Sequence, residues 1–387
     1  MPTMIVQKTT ESYVAGVQPA GAKGVVARHY AVFDGLRGVA ILAVMIYHFS
    51  GGYKGTNGLL RTWGLVADAG WMGVDLFFVL SGFLITGILY DSAAAKHKVK
   101  NFYIRRSLRI FPLFYAVLFT LLLLSRPLHL HWRPEHITYF LYLSNVVALI
   151  YPRLVPPSNW VNLGHLWSLA VEEQFYLLWP FVVWHIRRRE ILLQLIAVVL
   201  IVAPVLRGLL LMEGMSPVTT SRLLFTRADS LLFGAGVALL VRTPSPRRLP
   251  ARGILAGAAL VLSICLFAAH GPDASSFWLA TVGYSAIAAF CASVIYLARE
   301  GDALIAKFFD RSFLRFFGRY SYGLYLFHGI YFVYLRHLSG SLQDRVHSGL
   351  MAQLLIIGFG FAVSVALAVL SYHVFESPFL KLKSRFT

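Results

Sequence analysis

Long apolar runs, separated by short polar segments rich in Lys and Arg, make up most of the chain. Ten runs are each long enough to cross a bilayer as an α-helix, and they cover residues 33–53, 71–90, 108–124, 165–186, 191–211, 224–241, 253–269, 278–298, 316–338 and 350–375. An eleventh run, residues 137–150, is shorter and is followed by prolines. The pattern predicts an all-α polytopic membrane protein with about ten transmembrane helices and one short helix that is re-entrant or packed inside the bundle.

The distribution of basic residues predicts which ends of these helices face the cytoplasm. If the eleventh run does not cross, 25 of the 35 Lys and Arg residues fall on one side of the membrane. Because cytoplasmic loops carry the excess of Lys and Arg, that side is predicted to be cytoplasmic. Both termini then lie in the cytoplasm, with tails over residues 1–32 and 377–387 and a transmembrane domain over residues 33–376 in the inner (plasma) membrane.

Composition excludes several classes of protein. The chain is 58% hydrophobic and 13% charged, with a mean hydropathy of +0.67, and a soluble protein of 387 residues could not bury so much apolar surface. The formal net charge of +18 is concentrated at the ends of apolar runs, which indicates topology signals rather than nucleic-acid binding. Cys265 and Cys291 lie inside apolar runs without metal-ligand spacing, so neither a disulfide nor a metal site is predicted. The first 32 residues have no continuous apolar core, so no cleaved signal peptide is expected.

Arg37 and His48 stand at the two ends of an apolar stretch, RGVAILAVMIYH, in the first run. On a helix, eleven positions correspond to roughly 16 Å and about three full turns, so both side chains project from one face. Arg37 is expected near the cytoplasmic interface and His48 beyond the midplane. An ionisable residue at that depth is a functional candidate. The structural alternative is that Arg37 reaches lipid phosphates and His48 bonds a backbone carbonyl.

The segment GHLWSLAVEEQFY carries the second group of polar residues. If its helix enters from the outside near Gly164, Glu172 lies roughly 12 Å down, at the depth expected for His48. His165 and Glu172 are seven positions apart and therefore share a face. A carboxylate beside a histidine fixes its tautomer, as a general base requires. The alternative is a buried ion pair that only joins two helices.

Arg105, Arg106 and Arg109 begin the third run at its cytoplasmic end, after the basic segment 96–104. Arg105 and Arg109 share a helix face, and Arg106 lies beside them. Because the guanidinium fork binds phosphate bidentately, these residues predict a site for a phosphate-bearing anion. Lipid headgroups are the alternative partner.

Other polar residues in or near the apolar runs are more typical of packing and structural hydrogen bonds. Ser81, in GVDLFFVLSGFLI, could act as a nucleophile, but no Gly-x-Ser-x-Gly motif surrounds it, and Gly82 favours close helix packing. The remaining residues of this kind are Asp75, Arg227, Asp229, Tyr322, Tyr325 and His328. An outer loop adds three histidines that are predicted to lie on the surface: His129, His131 and His136.

Seven blocks of the sequence, spread over most of the chain, resemble the acyltransferase family 3 of integral-membrane O-acyltransferases: FDGLRGVAILAVMIYH, GVDLFFVLSGFLI, FYIRRSLRIFPLFY, GHLWSLAVEEQFYLLWP, RADSLLFGAG, SYGLYLFHG and SYHVFESPFLKL. In that family, an Arg or Lys followed after ten residues by His is the functional signature of the first helix, and it matches Arg37 and His48. The paired arginines of the third helix match Arg105 and Arg106, and the family's glutamate matches Glu172. The resemblance also implies ten helices, two cytoplasmic ends and the stand-alone type, without the extracytoplasmic hydrolase-like domain of some members.

The resemblance implies an O-acetyltransferase that takes an acyl group from cytoplasmic acyl-CoA without a metal. A hydroxyl of a cell-surface polysaccharide or glycolipid is the expected acceptor, and a macrolide or other small secondary metabolite is the alternative. Arg37 and the three arginines of the third run would bind the phosphates of CoA, His48 would act as general base, and Glu172 would orient its imidazole.

Two other classes of function remain open from the residues themselves. A transporter would also keep buried charges near the midplane, but it should show an inverted repeat with paired broken helices, which is not visible by eye in this sequence. A scaffolding membrane protein would not need a histidine, a glutamate and arginines aligned in depth.

Overall fold

The computed structural model describes residues 23–50, 58–147, 149–150, 158, 160–242 and 249–386, and it is a bundle of helices joined by short loops. The α-helices are α1 (Lys23–Ser50), α2 (Gly58–Asp68), α3 (Gly73–Asp91), α4 (Lys98–Leu123), α5 (Ile137–Phe140), α6 (Ser144–Val147), α7 (Trp167–Ile186), α8 (Arg189–Met212), α9 (Pro217–Thr220), α10 (Leu224–Leu240), α11 (Ala251–Ala268), α12 (Tyr284–Glu300), α13 (Ala303–Phe309), α14 (Ser312–Arg319), α15 (Ser321–Val346), α16 (Gly349–Ser371) and α17 (Ser377–Leu382). Two π-helical turns extend this set: Leu279–Gly283 leads into α12, and Tyr372–Glu376 joins α16 to α17.

The described part of each of the ten predicted runs is helical, with the run 316–338 divided between α14 and α15, which confirms the all-α polytopic class. Residues 51–53 of the first run lie outside the described residues. Among the described residues, seven helical segments are long and apolar enough to cross a membrane: residues 31–50, 60–91, 98–123, 189–212, 251–268, 279–300 and 349–385. The other three predicted spans are α7, α10 and α15, which are shorter or more polar. The total of ten crossings and the sides that they face stay predictions.

The eleventh run does not form one long helix. It contains α5 and α6, which are four residues each. Asn145 of α6 is buried and its side chain forms hydrogen bonds with the Gln174 side chain of α7 and with the backbone carbonyl of Arg222. A short helix held beside α7 by a satisfied buried amide agrees with the predicted packed helix.

The core helices approach each other at glycines. A Cβ on Gly82 of α3 would lie 1.7 Å from the Leu231 carbonyl oxygen of α10, and one on Gly234 would lie 1.9 Å from the Val79 carbonyl oxygen. No side chain fits between these backbones, so the two glycines let α3 and α10 pack in direct backbone contact. The structure confirms the packing role predicted for Gly82.

The helices differ in how much of their surface the protein covers. Within their most apolar stretches, 72% of the residues of the segment containing α12 and 61% of those of the segment containing α3 are buried, against 17% for α8 and for α11. The apolar side chains of α8 and α11 are mostly not covered by the rest of the protein, so these two helices are suited to contact lipid. Polar functional groups are therefore expected on the inner helices.

The segment predicted as a C-terminal tail folds back against α4. After the turn Tyr372–Glu376, the chain forms α17 and a 3₁₀ turn, Lys383–Arg385, and both contact α4. Glu376 and Lys383 are 8% and 7% exposed. This segment adds ionisable groups to the end of α4 that carries the three predicted phosphate-binding arginines.

Candidate active site

His48 lies in the last turn of α1, which is unbroken from Arg37 to His48 as predicted. Its Nδ1 atom is 3.0 Å from the carbonyl oxygen of Val44 and 3.2 Å from Nε2 of His328. A carbonyl oxygen can only accept a hydrogen bond, so Nδ1 carries the proton of the neutral ring. Nε2 then keeps its lone pair, which is the state a general base requires.

His328, on α15, fixes the ring of His48. Its side chain is fully buried, and its own Nδ1 is 3.0 Å from the carbonyl oxygen of Leu324. By the same reasoning Nδ1 of His328 donates, and Nε2 accepts from Nδ1–H of His48. The sequence pointed to His328 only as a polar residue in a predicted span, because its partner is 280 residues away.

His165 completes a histidine group, which we define as His48, His165 and His328. Its Nε2 is 3.2 Å from the Leu326 carbonyl oxygen, and its ring centroid is 5.5 Å from that of His328. Gly329 gives it room, since a Cβ there would lie 2.3 Å from Cγ of His165. The three rings are therefore held by backbone carbonyls and by close packing. No set of three His, Cys, Asp or Glu residues in the described part of the chain is arranged to hold a metal ion.

His48 and His165 line a cavity of about 1830 Å³. Residues of the loops and short helices 129–136, 217–222 and 270–275 form other parts of its wall, and all three segments are predicted to be extracytoplasmic. Aromatic side chains line much of the remainder: Tyr47, Trp71, Trp167, Tyr284, Tyr325 and Phe332. The histidine group thus opens toward the predicted outer side.

The three outer-loop histidines also line this cavity. His129 and His131 are exposed, as predicted. The prediction that His136 lies on the surface is wrong: it is 3% exposed, and its Nδ1 accepts a hydrogen bond of 2.8 Å from the backbone N–H of Arg133. That bond closes a one-turn helix and draws the ring inward.

Glu172, Glu173, Arg106 and Arg109 form a second group, which we call the carboxylate–arginine group. Oε1 of Glu172 accepts a hydrogen bond of 2.6 Å from Ser81. Arg106 lies 3.8 Å from the carboxylate of Glu173 and places its guanidinium 3.7 Å from the ring centre of Tyr176. Arg109 acts electrostatically on Glu172.

The prediction that Glu172 contacts His48 is wrong. His48 contacts His328, whereas Glu172 contacts Ser81 and lies beside the arginines of α4. The expected depth assumed that the helix enters the membrane near Gly164, but His165 is already buried at the cavity and packs on His328, the partner of His48. Seven further residues carry Glu172 about 10 Å beyond the cavity.

Residues of α7 connect the two groups along one face. His165, in the 3₁₀ turn Gly164–Leu166 that leads into α7, is followed at helical spacing by Ser168, Glu172 and Tyr176 of α7. Ser168 and the hydroxyl of Tyr325 are 2.5 Å apart, and the Tyr325 ring centroid is 5.4 Å from that of His328. A polar path therefore leads from the cavity to the arginines.

The C-terminal segment supplies residues that the sequence analysis missed. Lys383 lies within electrostatic reach of Arg105, Arg106 and Arg109, and Glu376 lies near Arg109. Three arginines and a lysine thus gather at one end of α4, where burial and the neighbouring arginines lower the pKa of Lys383 to about 6. The signal in the sequence, SPFLKLKSR, is short and does not show where the chain folds back.

Arg37 is held on α1, where its Nη1 donates a hydrogen bond of 2.7 Å to Asp34. This part of α1 packs tightly on α14, since a Cβ on Gly38 would lie 2.0 Å from the Leu314 carbonyl oxygen. Arg37 therefore lies on α1, a different helix from α4, which carries the other three arginines.

Two buried ion pairs hold the core. Arg207 of α8 forms two hydrogen bonds, of 3.0 and 2.9 Å, with Asp229 of α10, and it also binds Ser285 of α12. Both ionic side chains are completely buried, which indicates a structural role. In the second pair Arg227 of α10 contacts Asp75 of α3 at 2.6 Å, and both residues line the cavity.

Comparison with curated proteins gives several relatives. The chain is 31% identical over 319 residues to the peptidoglycan O-acetyltransferase OatA of Listeria monocytogenes, covering 76% of this chain and 48% of the relative. It is 28% identical over 381 residues to the O-acetyltransferase OatA of Staphylococcus aureus, covering 92% of this chain and 58% of the relative. The chain spans about half the length of these relatives. No solved structure matches it.

The family model described as an acyltransferase domain, that of acyltransferase family 3, matches residues 30–373. This range runs from the first long helix to the π-helical turn after α16 and contains every member of the histidine and carboxylate–arginine groups. The chain therefore belongs to acyltransferase family 3.

Proposed function

We propose that this protein is a membrane O-acetyltransferase that moves an acetyl group from cytoplasmic acyl-CoA to a hydroxyl of a cell-surface polysaccharide or glycolipid. The observation that carries the proposal is the position of His48, whose Nδ1 lies within hydrogen-bond distance of Val44 and His328 while the side chain lines the large cavity. The relatives that are named O-acetyltransferases, one of them for peptidoglycan, support the acetyl group and a polysaccharide acceptor.

In the proposed reaction, Nε2 of His48 takes the proton of the acceptor hydroxyl as its oxygen attacks the thioester carbonyl. The C–S bond then breaks, the acetyl group stays on the acceptor oxygen, and the CoA thiolate takes the proton back from His48. His328 accepts a hydrogen bond from Nδ1–H throughout, which keeps Nε2 directed at the cavity and stabilises the imidazolium. His328 takes the orienting role that the sequence assigned to Glu172.

The carboxylate–arginine group is the proposed donor side. Arg105, Arg106 and Arg109, with Lys383 beside them, would bind the phosphates of CoA, because guanidinium groups bind phosphate strongly. Arg37 would assist from α1. Along the polar face of α7, the eleven residues from Tyr176 to the cavity span roughly 16 Å. The thin pantetheine arm is of comparable length and could carry the thioester from the cytoplasmic arginines to His48.

The size of the cavity favours a glycan over a compact metabolite as acceptor. Pockets for drug-sized molecules are about 300–1,000 Å³, whereas this cavity is about 1830 Å³. An extended oligosaccharide would use that volume, and the outer loops would hold it at the membrane surface.

The test is thiol release from acetyl-CoA by the full chain in lipid nanodiscs, with and without a cell-envelope glycan fraction. We expect release that depends on the glycan and falls by a factor of about 10²–10⁴ in His48→Ala. His185→Ala is the matched control, since His185 is an exposed histidine in the last turn of α7. Full activity of His48→Ala would contradict the proposed role of His48 as the base. No binding of acetyl-CoA by the wild type would contradict the donor assignment and favour a transporter.

A further inference from the structure

The cavity contains charged groups that the proposed reaction does not use. Arg222 lies between α9 and α10 and lines the cavity together with His48. Its backbone is fixed on both sides: its N–H donates to the Thr219 carbonyl at 3.0 Å, and its carbonyl accepts from Asn145 at 3.1 Å. The position of Arg222 is therefore set by the fold.

The guanidinium of Arg222 has no carboxylate partner within ion-pair distance among the described residues. Its neighbours are the ring of Trp167, at 6.0 Å, and the hydroxyl groups of several tyrosines. Burial lowers the pKa of Arg222, because the cation has lost water and gained no full counter-charge. A desolvated cation in a cavity is well suited to bind an anion from outside.

The Asp75–Arg227 pair offers a second kind of contact in the same cavity. Asp75 is completely buried and Arg227 is 1% exposed, but they are joined through one carboxylate oxygen only. Within the described structure, Oδ2 of Asp75 and both Nε and Nη1 of Arg227 have no hydrogen-bond partner. Buried polar groups normally have a hydrogen-bond partner, and these three unpaired atoms belong to side chains that line the cavity. A sugar hydroxyl can donate to the first and accept from the others.

We propose that the cavity binds an acidic glycan, with a carboxylate of the acceptor on Arg222 and hydroxyls on the Asp75–Arg227 pair. This inference rests on the proposed function, because it names the class of acceptor for that site. The anion is assigned to the glycan rather than to a lipid headgroup because Arg222 lines the cavity that contains His48 and His165. The bound glycan would present another hydroxyl to His48.

The experiment compares an acidic cell-envelope glycan fraction with the same fraction after its carboxyl groups have been reduced to alcohols. Binding to the full chain in nanodiscs is measured by calorimetry, and turnover by thiol release from acetyl-CoA. We expect the wild type to prefer the acidic glycan about tenfold in Kd and KM, as for one charge-assisted hydrogen-bonded contact. Arg222→Gln should lose the preference, and Arg222→Lys should keep part of it. Arg126→Gln, an exposed arginine of an outer loop that does not line the cavity, is the control and should behave as the wild type.

The possible outcomes separate this inference from the proposed function. Turnover without any preference for the acidic glycan, or a preference that survives in Arg222→Gln, would overturn the acidic subsite and leave the acyltransferase intact. An Arg222-dependent preference in binding, without turnover, would support the subsite and contradict the acyltransferase. If Arg222→Gln altered only the dependence on anionic lipid in the disc, a lipid headgroup would be the ligand and the glycan assignment would be wrong.

Discussion

The histidine group and the carboxylate–arginine group are both polar clusters inside the bundle, but they are stabilised in different ways. The first takes His165 from the 3₁₀ turn before α7, and the second takes its carboxylates from α7 itself. Backbone carbonyls of Val44, Leu324 and Leu326 hold the three imidazoles. The other group is held by charge pairs and by the stacking of Arg106 on Tyr176. Backbone carbonyls fix the tautomer of each imidazole without adding a charge beside it, which suits a group that transfers protons. Carboxylates instead position the arginine side chains, whose guanidinium groups can bind an anion.

The two groups also differ in access. The histidine group opens on a cavity walled by loops predicted to be outside, whereas the carboxylate–arginine group lies beside the C-terminal segment predicted to be cytoplasmic. About 10 Å along α7 separates His165 from Glu172. We expect the histidine group to transfer the proton and the carboxylate–arginine group to bind the anionic donor. Three substitutions test this division.

The largest effect is expected at His328. His328→Ala removes one of the two acceptors of Nδ1–H of His48 and leaves only the Val44 carbonyl, so kcat should fall about 100-fold while KM for acetyl-CoA stays unchanged. His328→Gln should recover part of kcat, because its amide oxygen can accept the same bond. Steady-state kinetics with both substrates provide the measurement. A rise in KM for the donor with unchanged kcat would place His328 in donor binding and break the division.

A smaller effect is expected at Arg106. Arg106→Gln should raise KM for acetyl-CoA about tenfold, because one charge-assisted contact with a phosphate is lost, and kcat should change little. Arg188→Gln is the matched control, since Arg188 is exposed at the end of α7 and is predicted to lie on the same side of the membrane. If both variants changed KM equally, general surface charge rather than a specific site would bind the donor.

Positions along one helix could be predicted from the sequence, but contacts between helices could not. The period of the α-helix correctly placed Arg37 and His48 on one unbroken helix, α1, whereas His165 lies in the 3₁₀ turn that precedes α7 and only Glu172 is on α7. The partner of His48 was missed because His328 is 280 residues away and its selection depends on how α1 and α15 pack. The depth of Glu172 was misjudged because a hydropathy pattern does not show that the chain is already buried at His165.

The low hydropathy of some predicted spans also indicates where the polar residues of the site lie. The three predicted spans that are too short or too polar for the apolar criterion, α7, α10 and α15, are the helices that carry Glu172, Arg227 and His328. Helices that contribute most to a site in a bilayer must carry polar groups, which lowers their hydropathy. The weakest spans in such a chain are therefore the first place to look for function.

The smallest effect is expected at Ser81. Its size distinguishes a Ser81 that only forms a hydrogen bond from a Ser81 that acts as a nucleophile. The hydroxyl of Ser81 donates to Glu172 at 2.6 Å, and in the proposed mechanism it only orders the donor side. Ser81→Ala should then lower kcat/KM by a factor of about 3–10, as expected for one ordinary intramolecular hydrogen bond. A double-mutant cycle with Glu172→Ala should show that the two losses are not additive, because both variants remove the same contact. Were Ser81 a nucleophile, its loss would cost more than His328→Ala and would abolish any acetyl-enzyme trapped by rapid quenching with labelled donor. That result would move the chemistry from the histidine group to the carboxylate–arginine group and reverse the comparison.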